Sequence, residues 1–101
     1  MYWVLFPFEE SNDAKVRPGI VIDVSPDELE VLTVKVSRSQ SDKEILVAIE
    51  HWLQAGLREP SFAIVSKIRL LKKDRFSGFI GTIHRDDLLD VLEAAYKNEF
   101  L

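Results

Sequence analysis

Cysteine is absent from the 101 residues, which removes disulfide scaffolds, thiolate zinc sites, iron–sulfur clusters and cysteine nucleophiles together. Glycine and proline are scarce, four of each, so collagen-like and low-complexity architectures are excluded. No apolar run approaches the ~20 residues a membrane helix requires. The opening MYWVLFPFEE has neither a basic leader nor a small-residue cleavage site, and a soluble, cytoplasmic protein is expected. Positive charge is not in excess: 13 Lys and Arg against 17 Asp and Glu give a net charge of -4. That balance argues against a protein coated in cations to grip nucleic acid without regard to sequence. Phosphate-cradling glycine loops, nucleophile elbows, zinc-binding helices and calcium loops are missing, so no cofactor and no metal site are expected.

What is present is 47% hydrophobic and 30% charged, the composition of one globular domain over residues 1–101. A chain of this length buries roughly two thirds of the surface it exposes when unfolded. Aromatic and β-branched residues predict a strand from Tyr2 to Phe8, and the polar stretch Glu9 to Val16 predicts a loop. The run Ile20, Val21, Ile22 and Val24 suits a strand covered on both sides, ended by a turn at Ser25-Pro26-Asp27. Alternation from Val31 to Ser37 places Leu32, Val34 and Val36 inward, with Thr33, Lys35 and Ser37 outward. Further strands are expected at Ile45 to Ile49, Ser61 to Val65, Lys67 to Leu71 and Gly78 to Ile83. His51 to Ala55 reads as one helical turn stopped by Gly56. From Arg85 the period becomes helical, with Leu88, Val91, Leu92 and Ala95 on one side and Asp86 and Asp87 in the first turn, where the helix dipole favours carboxylates.

Few residues stand out chemically. Pro18 fixes its own backbone and forces Arg17 to be extended, so Arg17 is presented rigidly just before a buried strand. Its plain alternative is a surface ion pair. Ser37 closes the outward row that holds Lys35, and its plain alternative is a hydroxyl that satisfies a turn. Lys67 and Arg69 are expected to share a strand face opposite Ile68 and Leu70. They belong to a basic stretch from Arg58 to Arg75 that includes Lys72 and Lys73, either a positive face or a solvated hairpin. A histidine pair can act as acid and base on RNA, but nothing in the spacing brings His51 to His84.

Taken in order, several phrases resemble the MazF/PemK family of type II toxin–antitoxin toxins: KVRPGIVID, LTVKVS, IEHWLQAGLREPSFAIVSKIRLL and FIGTIHRDDLLDVLEAAY. The resemblance runs from Trp3 to about Tyr96. It implies a mainly β, α+β fold, a small curled antiparallel sheet closed into an SH3-like barrel with a C-terminal helix, usually as a homodimer. It implies a ribosome-independent endoribonuclease that cuts single-stranded RNA at short sequences and is neutralised by a cognate antitoxin. By matching motifs, Arg17 falls on the family's catalytic arginine and Ser37 on its catalytic Thr or Ser, with Ser39 a competitor for that role. The implied chemistry is attack of an RNA 2′-hydroxyl on its own phosphate, with Arg17 and Ser37 stabilising the phosphorane and Lys35, Ser39, Lys67 and Arg69 holding RNA. No general base is assigned; Glu9, Glu10 and Asp13 are all candidates. A non-catalytic member of the same fold, serving as a binding or regulatory module, stays open as the second reading.

Overall fold

The computed structural model describes residues 1–7 and 14–101. Its strands are β1 (Tyr2–Pro7), β2 (Ala14–Val24), β3 (Glu30–Ser37), β4 (Leu46–Ala48), β5 (Phe62–Lys72) and β6 (Phe76–Phe79), and its helix is α1 (Arg85–Lys97). The strands form one antiparallel sheet in the order β4-β5-β3-β2-β1-β6. Phe8, and with it Glu9, Glu10 and Asp13, lies outside the described residues. The expected loop up to Val16 is shorter than its polar composition suggests: Ala14, Lys15 and Val16 already pair with Pro7, Phe6 and Leu5 of β1. At Ser25-Pro26-Asp27 the expected turn forms. Asp27 accepts from the Ser25 hydroxyl at 2.6 Å and from the Leu29 N–H at 3.1 Å, and these bonds hold its carboxyl below the usual carboxylate pKa.

Both faces of the sheet are covered, which corrects the simple alternation expected of β3. On one face Ile20, Val34, Val36, Ala63 and Val65 meet Ile49, Ala55 and Leu57 of the segment after β4, and Val91 and Ala95 of α1. On the other face Val4, Phe6 and Leu71 form a second cluster. Thr33, expected outward, is fully buried there, its hydroxyl satisfied by the Val31 carbonyl at 3.0 Å. Gly19 is what lets this cluster close: a Cβ at that position would lie 2.7 Å from Thr33 Cγ2 and 2.9 Å from Val4 Cγ2.

The two strands expected between Ser61 and Leu71 are one strand with a bulge. Lys35 pairs with Ile64, but Val34 pairs with Ile68, so residues 65–67 have no partner on β3 and β5 bends there. The last expected strand ends early, at Phe79.

Closure into a barrel is not made by backbone hydrogen bonds: among the described residues β4 and β6 are the two edges of the sheet. The chain brings the continuations of those edges together by another route. Gly56, in the left-handed region at φ +94, and Gly81 let two backbone stretches touch. A Cβ on Gly81 would lie 2.2 Å from the Ala55 carbonyl oxygen, and one on Gly56 would lie 2.6 Å from that of Ile80. Beside this glycine seam the His51 and His84 rings stack, centroids 3.8 Å apart. Asp87, buried in the first turn of α1, accepts from the Glu50 N–H at 3.1 Å, the His51 N–H at 2.9 Å and the His51 ring at 3.2 Å. His84 caps the helix, its Nδ1 accepting from the Asp86 N–H at 3.0 Å. The histidines therefore do meet, and their surroundings give them structural work at a seam rather than a place in a cleft.

Candidate functional site

The β2–β3 ladder stops at Gly19↔Lys35. Beyond it β2 stays with β1, pairing Arg17 with Val4, while β3 stays with β5, pairing Ser37 with Phe62. The two strands fork. Pro18 sits at the fork, where its missing N–H costs no ladder bond to β3. Arg17 and Ser37 each lie two residues beyond the Gly19↔Lys35 pair on the diverging strands, and both line a cleft of ≈ 500 Å³. Its walls are Trp3, Val16, Arg17 and Pro18 on one side, Val36 to Ser39 on the other, and Gly56 to Glu59 with Ser61 closing the end.

Within it Arg17 is half-buried and donates from Nη1 to the Val16 carbonyl at 2.9 Å. It makes no ion pair with a described residue; the one carboxylate of the cleft lining, Glu59, is paired with Arg38. Ser37 Oγ accepts from the Ser39 N–H at 3.1 Å. That is the turn-satisfying role its ordinary reading assigns, yet it occupies only a lone pair and leaves the hydroxyl proton to donate elsewhere. Ser39 also lines the cleft and is exposed.

Lys35, Lys67 and Arg69 do not line it. They stand on adjoining surface. The register puts Lys35 across from Gly19 and Arg69 across from Thr33, so both share the sheet face of Lys15 and Arg17. Lys67 lies in the bulge, 3.7 Å from Glu44, which also takes the Ser66 hydroxyl. Burial lowers the pKa of Lys35, repulsion from Lys67, Arg17 and Lys15 lowers it further, and Glu44 opposes the fall. The expected positive strip from Arg58 to Arg75 is thus split: Arg58 lines the cleft, Lys67 and Arg69 flank it, and Arg75 donates to the Leu5 carbonyl at 3.1 Å.

Several lining residues carry no signal in the sequence. Arg38 and Glu59 form an exposed ion pair at 2.6 Å within the cleft lining, which raises the pKa of Arg38, chiefly through the hydrogen bond. Trp3 completes the set, and Arg58, marked in the sequence only as the start of the basic stretch, joins them. Among the described residues no group of three or more His, Asp or Glu could hold a metal ion, and no helix is long and apolar enough to cross a membrane.

A curled antiparallel sheet carrying one C-terminal helix, with a cleft at a strand fork lined by Arg17, Arg38, Arg58 and Glu59, defines a small α+β protein. The family model described as PemK-like, MazF-like toxin of type II toxin–antitoxin system matches residues 1–97, and the chain belongs to that family. No curated protein matches its sequence. Among solved structures the Mycobacterium tuberculosis toxin MazF-mt6 superposes with a TM-score of 0.71 at 15% identity, over 100% of this chain and 98% of that one. At that identity the likeness is one of fold.

Proposed function

We propose that this chain is the toxin of a type II toxin–antitoxin pair and acts in the cytoplasm as a metal-independent, sequence-specific endoribonuclease on single-stranded RNA. One observation supports the reading: Arg17 and Ser37 both line the cleft at the strand fork. The 2′-oxygen attacks the adjacent phosphorus, its proton passing to Glu59, the carboxylate of the cleft lining. The P–O5′ bond breaks, leaving a 2′,3′-cyclic phosphate and a 5′-hydroxyl that takes its proton from solvent. Charge gathers on the non-bridging oxygens of the phosphorane, where a fixed guanidinium donates two bonds and the Ser37 hydroxyl a third. Lys35, Ser39, Lys67 and Arg69 hold the flanking phosphates, which positions RNA without reading its sequence.

A cognate antitoxin fits the same surface. An acidic, partly apolar segment that orders on binding would cover the cations around the cleft and block Arg17. A second copy of the chain would cover apolar surface left open, where Phe79 is 62% exposed beside Tyr2.

The test is expression in bacteria followed by assay of the purified protein. Growth should stop, RNA should be cut, and cleavage should survive EDTA. Arg17→Ala should lose ~10²–10³ in rate with the fold intact, and Arg17→Lys should recover little because a point charge cannot replace the planar fork. Ser37→Ala should be milder, and Ser37→Thr tolerated. An Arg17→Ala protein that cuts at the unmodified rate sinks this mechanism. A chain that binds RNA and antitoxin but cuts nothing is the non-catalytic module.

A further inference from the structure

Trp3 is 42% exposed and belongs to neither core cluster. A tryptophan so placed leaves apolar area in water that a fold of this size would normally bury. Its neighbours on β1 are otherwise engaged: Val4 and Phe6 fill the second cluster, and Tyr2 stacks edge-on against Phe76 and Phe79. Trp3 has no ring partner among the described residues. It is nevertheless held. The register fixes it across from Pro18, the Ser77 hydroxyl donates to its carbonyl at 3.3 Å, and a Cβ on Gly78 would lie 3.7 Å from its Cδ1. A Cβ at position 78 would rest in ordinary van der Waals contact with the indole, so the β6 backbone lies alongside the ring. The ring is thus positioned from the β6 side, and Trp3 lines the cleft together with Arg17 and Ser37.

Resting on the endoribonuclease reading, we infer that the Trp3 indole is a stacking platform for the base of the nucleotide next to the scissile phosphate. Single-stranded RNA is gripped where unstacked bases find aromatic faces and backbone phosphates find cations, and both needs are met here on neighbouring positions of paired strands. The indole supplies position: it fixes one nucleotide while Arg17 meets the phosphate beside it.

The test uses a 2′-O-methyl oligoribonucleotide, which binds but lacks the attacking hydroxyl. Trp3→Ala should weaken its binding roughly 5- to 150-fold and raise KM with kcat largely kept, while Trp3→Phe stays within about 5-fold of the unmodified chain. In a Trp52→Phe background, which removes the other tryptophan, oligonucleotide binding should quench the remaining fluorescence. An abasic scan of the oligonucleotide needs no protein variant. Affinity should fall most at a single position adjoining the cut. Undiminished binding by Trp3→Ala in a chain that still cuts RNA, or a scan with no such position, overturns the stacking role alone. Loss of RNA binding together with conversion of Trp3→Ala to a slower-sedimenting species assigns Trp3 to an interface and also overturns it. An unmodified chain that neither binds nor cuts RNA removes the endoribonuclease reading, and the platform with it.

Discussion

Lys35 shows what gathering cations on one sheet face does to a single residue. Burial first, then Lys67, Arg17 and Lys15, lower its pKa. A base with a lowered folded-state pKa holds fewer protons in the native state than in the unfolded one between the folded value and the ordinary 10.5, so stability rises with pH across that window. Urea unfolding between neutral pH and about pH 10 should show a steeper stabilisation for the unmodified chain than for Lys35→Met, and added salt should shrink the difference. An unchanged slope in the variant would mean that Lys35 carries no such penalty. At this scale the sequence was informative where local geometry sufficed: Pro18 marked Arg17 as rigidly presented, and alternation placed Ser37 at a strand end. It gave no reason to bring Trp3, Arg38, Arg58 and Glu59 to one site. Their convergence depends on how β1, β3 and the segment after β4 meet, and no local spacing encodes that meeting.

Among the elements, the fork of β2 and β3 and the bulge in β5 determine the shape of the site. The fork could be anticipated only in part, since Pro18 signals an interrupted ladder but not which strand it leaves. The bulge read as two strands because residues 65–67 break the pairing that alternation assumes. Thr33 defied its outward placement because burial on a sheet covered twice is set by what packs above it. The glycines offer a direct test of element packing. Gly81→Ala would set a Cβ 2.2 Å from the Ala55 carbonyl oxygen, and since backbone cannot yield there the cost should be about 3 kcal/mol or more. Thermal unfolding should then move down by roughly 10–20 °C. Gly78→Ala, whose Cβ meets only Trp3 Cδ1 at 3.7 Å, should shift stability by no more than about 0.5 kcal/mol. Equal melting of the two variants would remove the seam as a packing constraint.

The whole molecule carries a net charge of -4 and still gathers Lys15, Arg17, Lys35 and Arg69 on one sheet face. Average charge thus said little about local potential, as is general for surfaces that segregate sign. Apolar surface remains elsewhere, with Phe79 62% and Tyr96 65% exposed. Sedimentation equilibrium at micromolar concentration should accordingly report a two-fold assembly; a lone 11.6 kDa species would refute it. The glycine seam has a kinetic meaning as well. It joins residues 55–56 to 80–81, and the Met1 amino group reaches the Gly81 carbonyl at 2.7 Å. Contacts between such distant stretches demand that large loops close first, so they form after the hairpins β1–β2 and β2–β3. Leu57, Arg58 and Glu59 follow Gly56 directly, and their wall of the cleft is set only when the seam is. By that loop-closure argument a folding chain is expected to carry Arg17 and Ser37 before it carries the wall formed by Leu57, Arg58 and Glu59.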